Sequence, residues 1–381
     1  MDAVWARDTV GAGALLTIDL DALVENYRGL AERAAPAACS AVVKADAYGL
    51  GVEQVVPALR DAGCRHFFTA QLREALEVQP HAGRGAAIYV LNGLQPGSEA
   101  LCAEAGIVPV LNGTEQVEAW MTLAVRLGRS LPAVIQIDSG MSRLGLAPEE
   151  VEALASRPGA LDGIDLILVM THLACGDEAT SPYNGQQLDA FLALAARLPP
   201  APLSIANSGG VALGGDFRQD LVRPGVALYG VAPTAGRRNP MRPVVRLDAR
   251  VIQTRAVKAG QAIGYGCSLV ADRPMELATI AVGYADGWPR CLGHVGAAYK
   301  GAVRLPIAGR VSMDSIILDI SDLPEDSLRL GDTVELIGPN QTLEQVAADA
   351  GTIPYEILTG LGRRYARRIL PPSSSAEGNI R

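Results

Sequence analysis

Eight short apolar runs, recurring at intervals that average roughly 25 residues, constrain the fold of this chain more than any other feature. They are Ala41 to Lys44, His66 to Ala70, Ala87 to Leu91, Ile107 to Leu111, Ala133 to Ile137, Leu166 to Thr171, Leu203 to Ala206 and Leu221 to Arg223. Each interval has room for one strand, one helix and two loops. The pattern therefore predicts an α/β chain whose residues 20–235 form a (β/α)8 TIM-type barrel. A doubly wound open sheet is the alternative, but it expects a glycine-rich phosphate turn after its first strand, and here that place holds Lys44.

The pattern changes after Gly230. Pro233, Gly236, Pro240 and Pro243 mark a linker, and strands then dominate. Val245, Leu247, Ala249 and Val251 alternate with Arg246, Asp248 and Arg250, the signature of a half-buried antiparallel strand. Thr333 to Ile337 reads as another strand, and Thr342 with Gln345 as a capping box for a short helix ending near Gly351. Residues 236–381 are thus expected to form a C-terminal mostly-β domain, with a loose polar tail from about residue 371. At the other end, residues 1–19 form a separate segment in which Leu15 to Ile18 reads as a strand. Asp19 or Asp21 is the expected cap of a first helix with one apolar face, built from Leu20, Leu23, Val24, Tyr27 and Leu30.

With 381 residues, two domains are the natural expectation. A net charge of −8 provides no global field for nucleic acid or anionic lipid, so neither partner is expected. Neither a signal peptide nor a span is expected at the N-terminus, because the first apolar stretch closes at Asp19, and a cytoplasmic location is the expectation. The six cysteines are widely scattered and read as reduced, mostly structural thiols. The four histidines, His66, His81, His172 and His294, show no ligand spacing, and no metal site is expected.

A barrel enzyme carries its reactive groups at the C-terminal ends of its strands. Lys44 ends the first run, Arg143 follows the fifth, His172 ends the sixth, Asn207 and Ser208 follow the seventh, and Arg223 ends the eighth. Desolvation at such a place lowers an ammonium pKa and yields the neutral amine that a Schiff base to an aldehyde requires. Phosphate sites in barrels often use the loops after the seventh and eighth strands, where Asn207-Ser208-Gly209-Gly210 and Pro224-Gly225-Val226 lie. Taken singly, each has an ordinary reading. Lys44 reads more readily as a lysine snorkelling from a strand end, Asn-Ser-Gly-Gly as a turn, and His172 as a hydrogen-bonded core residue.

Together they occur in a set of motifs: AVVKADAYGLG from Ala41, DSGMSRLG from Asp138, MTHLA from Met170, ANSGG from Ala206, RPGVALYG from Arg223, VGYADG from Val282, GRVSMD from Gly309 and PYE from Pro354. In order and context this set resembles the bacterial alanine racemases, which depend on pyridoxal 5'-phosphate (PLP). The resemblance spans nearly the whole chain and implies a PLP-binding barrel with a C-terminal β domain, the strand near Leu15 to Ile18 packing with that domain. It implies that Lys44 holds PLP and is the base toward D-alanine, with Tyr284 the opposing base toward L-alanine. Tyr48, His172, Asn207, Ser208, Arg223, Gly225, Val226 and Tyr355 are the implied cofactor contacts. Arg143 and the Met313 backbone are the implied contacts of the substrate carboxylate. The same resemblance implies a head-to-tail homodimer with shared active sites, and a role in supplying D-alanine for peptidoglycan.

Two positions depart from the family pattern. Gln136 stands where many members carry a carbamylated lysine, and Ser312 where a cysteine is common, so the anionic partner that steadies the arginine is expected to be missing or replaced. A serine or broad-specificity racemase is the enzymatic alternative. A non-catalytic PLP-binding barrel is the alternative from another class, and it lacks the β domain with the tyrosine of VGYADG.

Overall fold

The computed structural model describes residues 9–372, so the first residues of the N-terminal segment and most of the expected tail lie outside the described residues. The chain forms two units. One is Leu23–Arg242, and the other combines the chain up to Ala22 with the chain from Pro243 onward.

In the first unit, seven parallel strands pair in sequence order: β3 (Ala41–Val42), β4 (His66–Thr69), β5 (Ala87–Val90), β6 (Val108–Leu111), β7 (Leu131–Gln136), β8 (Ile164–Met170) and β9 (Leu203–Ser204). The eighth, β10 (Leu221–Val222), pairs in parallel with β2 (Ala38–Cys39), which leads into β3. Backbone bonds complete the ring. On one side Asp220 N–H donates to Leu203 O at 3.0 Å and Arg223 N–H to Ala206 O at 2.8 Å; on the other, Ser40 N–H donates to Val222 O and Val42 N–H to Pro224 O, both at 3.0 Å. Each expected run therefore supplies one barrel strand, because strands buried on both faces need continuous apolar sequence. Phe67, Phe68, Val110, Leu111, Val134 and Ile135 are fully buried. Helices fill the intervals; in the helix Thr114–Leu127, Val117, Trp120, Leu123 and Ala124 face inward at helical spacing.

The second unit is mostly β. Its long strand β11 (Val245–Val257) pairs with β14 (Met275–Ile280), β18 (Thr333–Ile337) and β1 (Ala14–Asp19), and β1 also runs parallel to β19 (Ala366–Leu370). Leu15, Leu16 and Ile18 of β1 are fully buried there. The sheet also holds β15 (Ala297–Lys300), β16 (Val303–Pro306) and β17 (Ile316–Asp319), while β12 (Ala262–Ile263) and β13 (Leu269–Val270) form a small hairpin. The alternation expected over Val245 to Val251 has one exception. Asp248 is buried beside a bulge, and its carboxylate is held by the Arg246 guanidinium at 2.7 and 2.8 Å.

Asp19 caps the first helix, accepting the Ala22 N–H at 2.9 Å, and Thr342 caps Leu343–Ala350 through the Gln345 N–H. Among the described residues no helix is long and apolar enough to cross a membrane.

Candidate active site

Lys44 follows β3 and opens a turn of unusual hand. Ala45, Asp46, Ala47 and Tyr48 all have φ between 53° and 55°, so four consecutive non-glycine residues follow a left-handed helical path. Such a path costs roughly 1–2 kcal/mol per L-residue, and it persists only where surrounding contacts over-determine it. Here they do. Glu74 accepts the Ala45 N–H at 2.8 Å, the Asp46 carboxylate accepts the Val52 N–H at 2.8 Å, and Ala47 N–H donates to Val43 O at 3.0 Å. The turn leaves Lys44 half-buried at the C-terminal mouth of the barrel. Burial lowers its amine pKa, as does the nearby Arg143 cation, while Glu74 opposes them. The chain has three lysines, and the other two, Lys258 and Lys300, belong to the second unit.

Arg223 lies beyond β10, fully enclosed. Its guanidinium donates to the Thr171 carbonyl at 2.5 Å and to the Ser204 hydroxyl. Burial brings it down to about 9, so it remains a cation at neutral pH. His172, at the end of β8, is held neutral: burial and the charges of Arg223, Arg143 and Lys44 take it down to about 3. The structure thus brings Lys44, Arg143, His172 and Arg223 to one place.

Gln187, on the helix Tyr183–Ala195, braces this mouth from behind. Its side chain donates to His172 O at 3.1 Å and accepts the Ala174 N–H at 2.8 Å, and it touches Ser139, whose hydroxyl meets that of Thr171 at 2.8 Å. A glutamine in an apolar helical face was not singled out in the sequence. Its complete burial is what reveals its role.

A second cluster lies at the loops after β9 and β10. The Ser208 hydroxyl accepts the backbone N–H groups of Gly225 at 3.0 Å and Ala227 at 3.3 Å. Asn207 caps the helix Ser208–Leu213, accepting the Gly210 N–H at 3.0 Å. Tyr48 comes so close that a Cβ on Gly225 would stand 2.4 Å from its hydroxyl oxygen. Its ring stacks on Tyr229, with centroids 4.5 Å apart. Asn207, Ser208, Gly225 and Tyr48 are thus neighbours, and Val226 begins the short helix that follows.

Arg143 rides on a loop whose shape Asp138 sets by accepting the N–H groups of Gly140, Met141 and Ser142 at 2.8, 2.8 and 3.1 Å. Gln136 is buried, and its amide donates to Leu144 O at 3.0 Å, next door to Arg143. The glutamine therefore holds the loop. The Arg143 guanidinium itself is exposed and has no hydrogen-bond or ion-pair partner among the described residues.

Tyr284, Met313 and Tyr355 belong to the second unit. Tyr284 N–H donates to Ser312 O and Ala285 N–H to Met313 O, both at 3.0 Å, so the VGYADG and GRVSMD motifs meet. Tyr355 lies in the first turn of the helix Pro354–Gly360, and just past the helix end Gly362 N–H donates to Asp286 O at 2.9 Å, in the turn that holds Tyr284. A further tyrosine was passed over in the sequence. Tyr265 is 72% exposed, against 41% for Tyr284, and lines a cavity of about 430 Å³ with Arg255, Ser312 and Ser315. Its signal was the pair of flanking glycines. Gly264 and Gly266 both have positive φ, and a Cβ on Gly266 would stand 3.2 Å from the Arg310 guanidinium.

Residues 18–233 match the family model described as alanine racemase, N-terminal domain, and residues 244–369 match that of the alanine racemase C-terminal domain. The catabolic alanine racemase of Agrobacterium fabrum is 56% identical over 377 residues, covering 98% of this chain and 97% of its own. The alanine racemase of Brucella abortus is 54% identical over 371 residues, 94% of each chain. Among solved structures, the alanine racemase of Bartonella henselae with covalently bound pyridoxal phosphate superposes with a TM-score of 0.92 at 48% identity, covering 94% of this chain and 100% of that one.

Proposed function

The chain belongs to the alanine racemase family, and on that premise we propose that it interconverts L-alanine and D-alanine with PLP as its cofactor. The observation that carries this reading is Lys44. It is the only lysine of its unit, its amine is pulled toward neutrality, and it shares the barrel mouth with Arg223, Arg143 and His172.

The residues present fit such a cofactor. A phosphorylated aldehyde needs a nucleophilic amine, cations and hydroxyl or backbone donors, and the mouth offers Lys44, two arginines, Ser208 and Tyr48. The glycine at 225 is what lets the Tyr48 hydroxyl approach the loop, since a Cβ there would clash with it. Lys44 would hold the aldehyde, and Ser208, Gly225, Val226, Asn207, Tyr48 and Tyr355 the phosphate side. Arg223 would face the ring nitrogen; a guanidinium has no acceptor and stays protonated, so it leaves that nitrogen without a proton. When bound, PLP supplies an electron sink that acidifies the Cα–H of an amino acid joined to it.

The protein's own groups then decide the outcome. Arg143, with its guanidinium unengaged, suits the substrate carboxylate through its planar fork, and the Met313 backbone is the other contact proposed for that carboxylate. Racemisation removes a proton from one face of Cα and delivers one to the other, which requires two groups on opposite faces. Lys44 Nζ would take or give the proton on the D-alanine face. A tyrosine hydroxyl serves the other. The family resemblance points to Tyr284. The exposure of Tyr265 and the cavity it lines favour it as a second candidate.

We further propose a homodimer in which the tyrosine of one chain faces Lys44 of its partner, two equal sites being built by one two-fold interface. D-alanine supply for peptidoglycan completes the proposal. The catabolic name of the Agrobacterium relative points instead to alanine breakdown, and a gene disruption that creates a D-alanine requirement distinguishes the two.

The reaction is tested by incubating the PLP-loaded protein with each enantiomer and following optical rotation. Both solutions should decay to zero rotation. Decay with serine but not with alanine would favour the broader racemase, and no decay with any amino acid the non-catalytic reading.

A further inference from the structure

A cavity of about 350 Å³ lies beside the barrel mouth's own helix, at the residues Val211 and Ala212 of Ser208–Leu213. Four arginines line it: Arg33 from the last turn of Leu20–Ala34, Arg218, and Arg237 with Arg238 from the proline-rich linker. No acidic side chain lines it, and the adjacent Glu32 and Asp216 pair with none of the four. None of these guanidiniums has a hydrogen-bond or ion-pair partner among the described residues, and Arg218 Nε is buried with no acceptor at all. Other arginines of this chain do find carboxylates: Arg157 pairs with Glu118, Arg197 with Glu152 and Arg242 with Glu25.

Four like charges gathered without counter-charge repel one another, and an N–H stripped of water without an acceptor is costly. Both penalties vanish if an anion sits among them. Since the chain as a whole carries −8, the cluster is no part of a generally basic surface. The Thr234 hydroxyl adds a donor, whereas the apolar part of the lining is aliphatic, with no aromatic face on which a nucleobase could stack. We propose that this cavity is a binding site for a small polyanion bearing two or more phosphate or carboxylate groups, each gripped by an arginine fork.

Calorimetric titration of the PLP-loaded protein with pyrophosphate, at constant ionic strength, tests the proposal. Loading with PLP keeps the probe out of the proposed cofactor phosphate cup, so failure here leaves the racemase reading untouched. One saturable site is expected, with binding weakened at least tenfold in the Arg218→Gln/Arg238→Gln double variant. Arg237 and Arg238 are exposed, and the Arg237→Gln/Arg238→Gln variant, which leaves the half-buried Arg218 in place, should weaken binding by a similar factor. Absence of saturable binding, or binding that both variants retain unchanged, overturns the site. Binding of a DNA duplex without binding of pyrophosphate also overturns it, in favour of a polymer.

Discussion

The carboxylate of Glu74 accepts the backbone N–H of Ala45 at 2.8 Å, tying the start of the helix Leu72–Ala82 to the residue that follows Lys44. Its other oxygen accepts the N–H groups of Ala70 and Gln71 at 2.7 and 3.1 Å. One side chain thus caps a helix and helps hold the left-handed turn on which Lys44 depends. Glu74→Ala should cost about 2 kcal/mol of stability, the range for lost charge-assisted bonds at a half-exposed site. Because the Glu74 charge raises the Lys44 pKa, the same variant should shift aldehyde capture by the apoprotein to lower pH. An unchanged pH dependence would show that Glu74 does not act on the lysine.

His172 provides a pH test. Its ordinary pKa is about 6.5, and in the folded chain burial and three cations bring it to about 3. Between those values the unfolded chain binds a proton that the folded one does not. Stability is therefore whole above about pH 6.5 and falls as the pH drops toward 3, by up to about 1.4 kcal/mol per pH unit. A His172→Gln variant lacks this loss. The stability difference between wild type and variant, from urea unfolding of the apoproteins, should shift against the wild type on acidification. A difference that does not vary with pH would contradict the cation-ringed neutral imidazole.

Much of this arrangement was legible in the sequence, and the exceptions share a physical cause. Parallel strands buried on both faces leave uninterrupted apolar runs, so Ala87 to Leu91 announced β5 and Leu221 to Arg223 announced β10. The hand of the turn after Lys44 was not legible. Ala45, Asp46, Ala47 and Tyr48 carry no glycine, and their hand comes from Glu74 and other partners distant in sequence, which local propensity does not register. Gln187 likewise sits on an apolar helical face, and its partners, Ser139 and the His172 to Ala174 backbone, are distant in sequence. Arg33 lies about two hundred residues from the other three arginines of the linker cavity, and only the closed barrel brings them together.

Gln136 bears on the substrate arginine. Its amide is spent on Leu144 O, and the barrel unit contains no lysine besides Lys44 that could carry a carbamate. Racemisation should therefore be insensitive to added bicarbonate. A reversible gain in rate with bicarbonate would show that a carbamate forms elsewhere and steadies Arg143.

Mixing inactive chains identifies the second base and the assembly together. Lys44→Ala chains combined with Tyr284→Phe or with Tyr265→Phe chains form some dimers in which one site has both intact groups. With random pairing and independent sites, activity should return to roughly a quarter of wild type. The tyrosine variant that is inactive alone and recovers in the mixture marks the base. Recovery with neither, in verified mixed dimers, would mean that each site is built within one chain.

Borohydride reduction of the PLP-loaded protein, followed by digestion and mass spectrometry, addresses Lys44 most directly. The chain has three lysines, which makes the outcome unambiguous. The reduced cofactor should be found on the peptide containing Lys44 and on no other. Recovery on Lys258 or Lys300, or a protein that retains no reduced cofactor at all, would contradict the account.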